Sequence, residues 1–256
     1  MALNCVQVSW RNTRLSNFLS GTFDSVRRNA LHAARRALPQ RCELCAGPSG
    51  TELVCTRCAR ELPCIGVACP VCAMPTPEAQ VCGQCLAHPP AFDATVAAYA
   101  YAFPVDRLIQ AFKYRGHLAL AEWCAVAIIA ARARRTATVP PRLIALPLSP
   151  ARQRERGYNQ AAEIARQIAA RTHATLVTRG VRRIRATPPQ AALPWPERAR
   201  NVRDAFACDV DLTGLDVAVV DDVMTTGATL AEFARTLKTA GAARVENWVV
   251  ARTLPP

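Results

Sequence analysis

Short apolar segments alternate with amphipathic segments along the second half of the chain. Residues 143–148 and 217–220 are apolar runs of the length and composition typical of strands buried on both faces. Further strands are predicted at 94–102, 173–178 and 244–252, and helices at 105–113, 118–135, 159–171 and from the end of the loop at 229 to about 240. Strands that alternate with helices predict an α/β domain, with a mostly parallel sheet flanked by helices.

The first 90 residues lack this alternation. Residues 17–38 place apolar side chains on one helical face and arginines mostly elsewhere, which predicts a basic amphipathic helix. We expect it to pack on the rest of the protein, and a membrane surface or nucleic acid is the alternative partner. We divide the 256 residues into an N-terminal helical segment (1–40), a cysteine-rich module (41–87) and, after a proline linker, the α/β domain (91–256).

Eight cysteines form four Cys-x-x-Cys pairs, and their positions repeat after 27 residues. The first unit contains Cys42, Cys45, Cys55 and Cys58, and the second contains Cys69, Cys72, Cys82 and Cys85. Two such pairs can present four thiolates to one Zn²⁺, and a module with so few apolar residues could hardly fold without metal. The sequence therefore predicts a double zinc ribbon with two structural zinc ions. The repeat favours pairing within each unit, and a cross-braced pairing of alternate knuckles is the alternative.

The remaining composition bears on the cellular compartment. No run of 18 apolar residues is present, and the N-terminus lacks the basic and apolar regions of an export signal. Regularly spaced cysteines in a reducing compartment bind metal rather than form disulfides. We expect a cytoplasmic protein without a transmembrane segment.

The stretch 215–230 combines a buried strand, an acid pair and a polar loop. Asp221 and Asp222 follow the apolar run, and the loop Thr225–Thr229 leads into a helix. Backbone N–H groups at a helix N-terminus favour a phosphate, to which threonine hydroxyls can also donate. The carboxylates would repel a phosphate but suit sugar hydroxyls or a hydrated Mg²⁺. This order predicts a site for a ribose 5-phosphate, and a structural strand with an aspartate helix cap is the alternative.

Arginine dominates the positive charge. The net charge is +13, and 30 of the 32 basic residues are arginine, which favours bidentate contacts to phosphate. Arg152, Arg154 and Arg156 precede Gly157 in a polar segment that follows a predicted strand, which we interpret as a loop. It should open on the same side of a parallel sheet as the acid pair. The loop is a candidate pyrophosphate site, and a solvated turn is the alternative.

The stretch 215–230 resembles the signature of type I phosphoribosyltransferases. In that family two acids hold the ribose hydroxyls of phosphoribosyl pyrophosphate (PRPP), and a Thr-Thr-Gly loop holds its 5-phosphate. The resemblance implies that Asp221 and Asp222 bind PRPP with Mg²⁺. The implied phosphate loop consists of Thr225, Thr226, Gly227, Ala228 and Thr229. Ala228 stands where many members of that family have a second glycine.

Several motifs together are similar to the ComF family of competence-associated proteins, including its GntX-like members. Besides the cysteine pairs, they are Phe112–Gly116, Pro147–Gln160, Arg183–Gln190 and Asp221–Gly227. The resemblance implies a phosphoribosyltransferase-like domain preceded by a double zinc ribbon. The long basic segment 182–202 is predicted to be a flexible loop, because long loops in compact domains are usually lids or disordered. Its candidate ligand contacts are Arg183, Arg185 and Gln190.

The resemblance implies two functions of different classes. In the first, the protein binds PRPP and acts in DNA uptake, with single-stranded DNA on its basic surface and a helicase-like uptake protein as a further partner. In the second, it is an active phosphoribosyltransferase of nucleotide metabolism, which displaces pyrophosphate from PRPP by an acceptor that the sequence does not identify. No general base beyond the acid pair is apparent.

Overall fold

The structure is a computed structural model that describes residues 40–135, 139–185 and 202–255. The helix predicted at 17–38 lies outside these ranges, as does Gln190. The chain divides into two compact units, Met1–Leu62 and Pro63–Pro256. They separate between the two cysteine repeats, which were predicted to lie in one module. The module boundaries at 40, 87 and 91 stay a prediction.

In the first unit, strands β1 (Gln40–Arg41) and β2 (Pro48–Gly50) form an antiparallel hairpin, and helix α1 (Thr56–Arg60) follows. The thiol sulfurs of its four cysteines lie within 4.8 Å of one another. The Sγ atoms of Cys45 and Cys55 are 3.8 Å apart, which matches the edge of about 3.8 Å that a tetrahedron with Zn–S bonds of about 2.3 Å requires. This unit therefore fits one structural zinc ion.

The second cysteine cluster reproduces the first at the level of backbone hydrogen bonds. The N–H of Cys42 donates to the Gly47 carbonyl at 2.8 Å. In the second repeat, where each position is shifted by 27, the N–H of Cys69 donates to the Met74 carbonyl at 2.7 Å. Its four sulfurs also lie within 4.8 Å of one another. Helix α2 (Gly83–Ala87) carries the last of these cysteines. The clusters join cysteines of one repeat each, so the pairing within each unit, not the cross-braced one, is confirmed.

The rest of the second unit is the predicted α/β domain. Its strands are β3 (Ala94–Ala100), β4 (Arg142–Ala145), β5 (Thr175–Val177), β6 (Val181–Arg183), β7 (Phe206–Cys208), β8 (Asp216–Met224) and β9 (Arg244–Arg252). Its helices are α3 (Val105–Tyr114), α4 (Leu120–Ala133), α5 (Pro150–Arg156), α6 (Gln160–Ala169) and α7 (Ala228–Thr239). Five strands form a parallel sheet in the order β3-β9-β8-β4-β5, and β6 and β7 form an antiparallel pair. The predicted fold class is confirmed.

The core forms around the central strands of this sheet. Residues 217–220 of β8 are fully buried, as a strand covered on both faces requires. Val217 and Val219 belong to one apolar cluster with Leu230 and Phe233 of α7. Helices α4 and α6 pack on each other and on the strands. Cys69, Cys72 and Cys85 belong to the same apolar cluster as Val217, so the second cysteine cluster is part of the core of this unit.

The strand order contains a switch point between β4 and β8. These two strands are neighbours. After β4 the chain passes through α5 and α6 to β5 on one side, and after β8 it passes through α7 to β9 on the other. Connections that leave in opposite directions open a cleft outside the carboxyl ends of the two strands. The sheet therefore fixes where a ligand site can form.

None of the helices in the described part of the chain is long and apolar enough to cross a membrane.

Protein purified without added metal should contain two zinc ions per chain. Cys42→Ser and its repeat counterpart Cys69→Ser should each lose one zinc ion, because three thiolates cannot complete the tetrahedron. Cys69→Ser should also lower the melting temperature of the α/β unit, since Cys69 lies in its core. Elemental analysis and thermal unfolding measure both effects. One zinc ion in the wild type, or unchanged zinc in both variants, would contradict the two-site assignment.

Candidate functional site

A cleft of about 330 Å³ lies at the switch point. Strand β8 contributes Asp221 and Asp222 to its lining, and the residues after β4 contribute Ser149, Arg152 and Arg156. The acid pair and the arginine segment, separated by about 70 positions in the sequence, therefore meet as the parallel-sheet argument predicts.

The acid pair lies inside β8 rather than after its end. Strand β8 continues to Met224, and Asp221 pairs with Val249 of β9 in the parallel register. On the other side, β4 pairs with β8 only as far as Val220. The two acids therefore lie on an extension of β8 that has a neighbouring strand on one side. The prediction of a strand that ends at residue 220 was too short, because β9 supplies a partner for four more residues.

The two carboxylates have different surroundings. Asp222 Oδ1 forms an ion pair with Lys113 Nζ at 2.9 Å, and both side chains are largely buried. Burial lowers the pKa of Lys113, but the Asp222 carboxylate outweighs it and raises that pKa above its usual value. Burial and the neighbouring Asp222 carboxylate raise the pKa of Asp221 to about 7. Asp221 therefore titrates near neutral pH, while Asp222 has a fixed cationic partner.

The threonine loop turns sharply between β8 and α7. Gly227 has φ +84° and is the N-cap of α7. The positive φ favours glycine, and a Cβ atom at this position would lie 2.5 Å from Cε of Met224, so that the end of this side chain would have to shift. Thr225, Gly227 and Thr229 line the cleft. Thr226 and Ala228 do not line it; instead Thr226 Oγ1 accepts from the Ala228 N–H at 3.3 Å and closes the turn.

The segment predicted to be an arginine-rich loop is the short helix α5, so that prediction was wrong. Ser149 caps the helix by accepting from the Arg152 N–H, Pro150 occupies its first position, and Gly157 ends it with φ +75°. Residues four apart share a helix face, and residues two apart do not. Arg152 and Arg156 therefore line the cleft, whereas Arg154 is exposed and does not.

Arg156 is fixed by groups from two other helices. Its Nη1 donates to Gln160 Oε1 at 3.0 Å, and its Nη2 donates to the hydroxyl of Tyr114 at 3.4 Å. Its guanidinium also lies 5.2 Å from the centroid of the Tyr114 ring. Asn159 Nδ2 donates to the Leu146 carbonyl at 3.0 Å and fixes the start of α6 to the end of β4. These contacts preorganise one wall of the cleft.

Arg183, on β6, supplies another basic group to the cleft. Its guanidinium lies 5.4 Å from the centroid of the Phe206 ring. Burial and then the like charge of Arg152 lower the pKa of Arg183, which indicates that the two guanidinium groups are close. Arg185 is exposed, does not line the cleft, and donates to the Arg203 carbonyl at 3.0 Å.

The cleft is electrostatically suited to a polyanion. Lys113, Arg152, Arg156 and Arg183 give four basic groups, against two carboxylates. Such an arrangement can bind phosphate groups at the basic wall and hydroxyl groups or a divalent cation at the acid pair. Lys113 was given no role by the sequence analysis, although it lies in the Phe112–Gly116 motif. Its partner is 109 positions away in the sequence, so only tertiary structure identifies the contact.

Asp221→Asn should stabilise the fold at neutral and alkaline pH. The unfolded carboxyl loses its proton near pH 3.9, whereas folded Asp221 keeps its proton up to about pH 7. Rising pH between these values therefore costs stability in the wild type, and asparagine removes that cost. The gain in melting temperature over the wild type should grow from pH 5 to pH 7 and then level off in thermal unfolding experiments.

Asp216→Asn, which removes one carboxylate from the start of the same strand, is the matched control. A gain for Asp221→Asn that is independent of pH, or a loss of stability at pH 8, would contradict the assigned environment of Asp221.

Solved structures give partial likenesses. An allosteric regulatory enzyme of purine biosynthesis is 21% identical, with a TM-score of 0.32. The matched region is 50% of this chain and 25% of that enzyme's chain. A purine phosphoribosyltransferase from Pyrococcus horikoshii is 18% identical, with a TM-score of 0.29. The matched region is 62% of this chain and 87% of that enzyme's chain. At these scores the fold assignment rests on the strand order and not on the likeness.

The chain has relatives at about one third sequence identity. The double zinc ribbon domain family matches residues 33–86. The DNA utilization protein YhgH of Escherichia coli K12 is 35% identical over 173 residues, which are 66% of this chain and 76% of that protein. Competence protein F of Haemophilus influenzae is 32% identical over 174 residues, which are 65% of this chain and 76% of that protein. With this identity over three quarters of both relatives, the chain belongs to the ComF family of competence-associated proteins.

Proposed function

We propose that the cleft binds PRPP together with Mg²⁺ and that the protein acts in DNA uptake. The proposal of PRPP binding is supported by three features that lie together in one cleft. These are the acid pair, the threonine loop and the basic residues Arg152, Arg156 and Arg183. They correspond in chemistry to the diol, the 5-phosphate and the pyrophosphate of a single ligand.

The 5-phosphate is assigned to the threonine loop. The loop precedes the N-terminus of α7, a helix of 12 residues whose dipole favours an anion at this end. Thr225 and Thr229 hydroxyls line the cleft beside Gly227, where the absence of a side chain leaves the backbone accessible to a phosphate. The site is then complementary to a tetrahedral dianion at the end of a sugar.

The ribose hydroxyls are assigned to Asp221 and Asp222. A carboxylate accepts hydrogen bonds from vicinal hydroxyls, and the ion pair with Lys113 orients Asp222. The oxygen donors of this pair also fit a Mg²⁺ ion shared with phosphate oxygens. When bound, Mg²⁺ would neutralise charge on the pyrophosphate. Since Asp221 has a pKa of about 7, this wall gains negative charge as the pH rises through neutrality.

The pyrophosphate is assigned to Arg152, Arg156 and Arg183. Arg156 is held in place by Tyr114 and Gln160, so little side-chain entropy remains to be lost on binding. Arginine forks match two phosphate oxygens at once. If an acceptor also enters the cleft, pyrophosphate would leave from this wall, and the protein would be an active phosphoribosyltransferase.

A role in DNA uptake is inferred from relatives named competence protein F and DNA utilization protein. It is supported by exposed arginines on β6 and its continuation, where Arg182 and Arg185 lie outside the cleft. Exposed cations of this kind bind nucleic-acid phosphates without regard to sequence. We assign single-stranded DNA to this surface, and a helicase-like uptake protein remains a further proposed partner.

Arg152→Gln should weaken PRPP binding in the presence of Mg²⁺ at least about tenfold, because a charge-assisted hydrogen bond contributes about 1.5–3 kcal/mol. Arg154→Gln is the matched control, since Arg154 lies two positions along the same helix and does not line the cleft. Its affinity should stay within about twofold of the wild type. Isothermal titration calorimetry measures both. Equal losses for the two variants, or a wild type that does not bind PRPP, would overturn the assignment.

Replacing both Arg182 and Arg185 by Ser should weaken single-stranded DNA binding and reduce its salt dependence. Each phosphate contact contributes roughly −0.7 to the slope of log K against log salt, so the slope should become shallower by about 1.4. Fluorescence anisotropy with two unrelated oligonucleotides measures the effect, which should be the same for both.

The control replaces Arg166 and Arg235, which are about half exposed and paired with acidic side chains, as Arg182 is with Asp209. This control removes the same charge and should leave the slope unchanged. An equal change in both double variants would show that net charge alone, and not the β6 surface, holds the DNA.

A further inference from the structure

Arg252, the last residue of β9, is a buried cation that contacts two functional parts of the α/β unit. Only 7% of its surface is exposed. Its Nε donates to the carbonyl of Cys72 at 3.0 Å, and its Nη1 donates to the carbonyls of Met224 (3.2 Å), Thr225 and Thr253 (2.8 Å). One guanidinium group therefore joins the second cysteine cluster to the start of the threonine loop.

The loop is built on the residues that Arg252 holds. Met224 ends β8 and Thr225 begins the loop. The Cε atom of Met224 lies 2.5 Å from the position that a Cβ of residue 227 would take, so the Met224 side chain packs against the loop at its glycine. Met224 pairs with Arg252 in the parallel register, which places the guanidinium group at the base of the loop. A shift of Arg252 would therefore reach the loop directly.

The other contact of Arg252 belongs to the second zinc site. Cys72 is one of its four thiol ligands, and its knuckle is also anchored by the Thr95 N–H, which donates to the Pro70 carbonyl at 3.1 Å. Cys69, Cys72 and Cys85 share the apolar cluster of Met224 and Leu230. Loss of metal from such a knuckle unfolds it locally, since the binding energy of the metal is part of its folding energy. The Cys72 carbonyl would then leave Arg252.

The buried charge of Arg252 lies beside the second zinc site. Within the described ranges its hydrogen bonds go to carbonyl oxygens, and no carboxylate forms an ion pair with it. Zinc bound by four thiolates carries a net charge of about −2. Without this counter-charge, a buried guanidinium group is unfavourable and should move toward solvent.

We propose that Arg252 is a positioning residue that couples zinc occupancy of the second site to the shape of the phosphate loop, so that the cleft binds its anionic ligand tightly only when this site holds zinc. The ligand part rests on the proposed PRPP site. The coupling itself rests on the contacts of Arg252 and can be measured without ligand. The first zinc site lies in the other compact unit and serves as an internal comparison.

The repeat supplies a matched pair of variants. Cys72→Ser and Cys45→Ser replace equivalent cysteines 27 positions apart, and each should cost one zinc ion. Cys72→Ser should accelerate hydrogen–deuterium exchange of the amides of 225–229 at least about tenfold and weaken PRPP binding with Mg²⁺ at least about tenfold. Cys45→Ser should change neither quantity. Unchanged exchange in α6 serves as the check that the domain has not unfolded as a whole.

Arg252→Lys tests the role of Arg252 while the eight cysteines of the two clusters are unchanged. A lysine keeps the charge but has no fork that could reach Cys72 and Met224 together, so exchange in the loop should accelerate and PRPP affinity should fall while two zinc ions stay bound. In Arg252→Ala, added guanidinium at non-denaturing concentrations should partly restore both slow exchange in the loop and PRPP affinity. This rescue separates positioning by the guanidinium group from a general loss of packing.

The outcomes separate the two proposals. If the wild type does not bind PRPP but the exchange results are as expected, the coupling holds and the ligand assignment fails. If the wild type binds PRPP, and Arg252→Lys leaves both affinity and loop exchange unchanged, the coupling is overturned. It is also overturned if Cys72→Ser and Cys45→Ser behave alike. Should Cys72→Ser fail to fold, Arg252→Lys alone decides.

Discussion

The nine-residue parallel pairing of β8 with β9 is the constraint on which the site depends. Because the register continues from Asp216–Arg244 to Met224–Arg252, β8 extends four residues beyond the end of its pairing with β4. That extension places the acid pair in the cleft. It also brings Arg252 beside Met224, at the base of the threonine loop. A shift of one residue would move every side chain of β8 to the other face of the sheet and remove both arrangements.

The cleft is organised by unequal electrostatic environments on one short strand. Asp222 has a buried cationic partner in Lys113, whereas burial and the adjacent carboxylate raise the pKa of Asp221 to about 7. The opposite wall has guanidinium groups that are close enough for the charge of Arg152 to lower the pKa of Arg183. Like charges held together in this way destabilise the free protein and favour an anionic ligand. This cost in stability therefore supports the proposal that the cleft binds an anion.

Several local features were predicted from sequence patterns. The run 217–220 predicted a buried strand, and the 27-residue cysteine repeat predicted the grouping of the cysteines. The arginine segment was misassigned although its signals were local. Ser149 and Pro150 are strong helix-start residues and predict the start of α5. As a consequence of the misassignment, Arg154 was grouped with Arg152 and Arg156, from which the helical period separates it.

Contacts between distant segments could not be predicted in this way. Lys113 and Asp222 meet only because α3 ends beside the extension of β8, and Arg252 reaches Cys72 across 180 positions. Neither pair has a sequence spacing that identifies it. Both involve buried charge, so their partners could be recognised only after the sheet register was known.

The central claim is that one cleft recognises phosphate, diol and pyrophosphate as parts of a single ligand. Calorimetric titration of the wild type with PRPP, ribose 5-phosphate and pyrophosphate, each with Mg²⁺, tests it most directly. The account predicts that PRPP binds more tightly than either fragment, that each fragment competes with PRPP, and that the two fragments bind together. Binding of PRPP no tighter than that of free pyrophosphate would contradict it, because the cleft would then be only a basic anion patch.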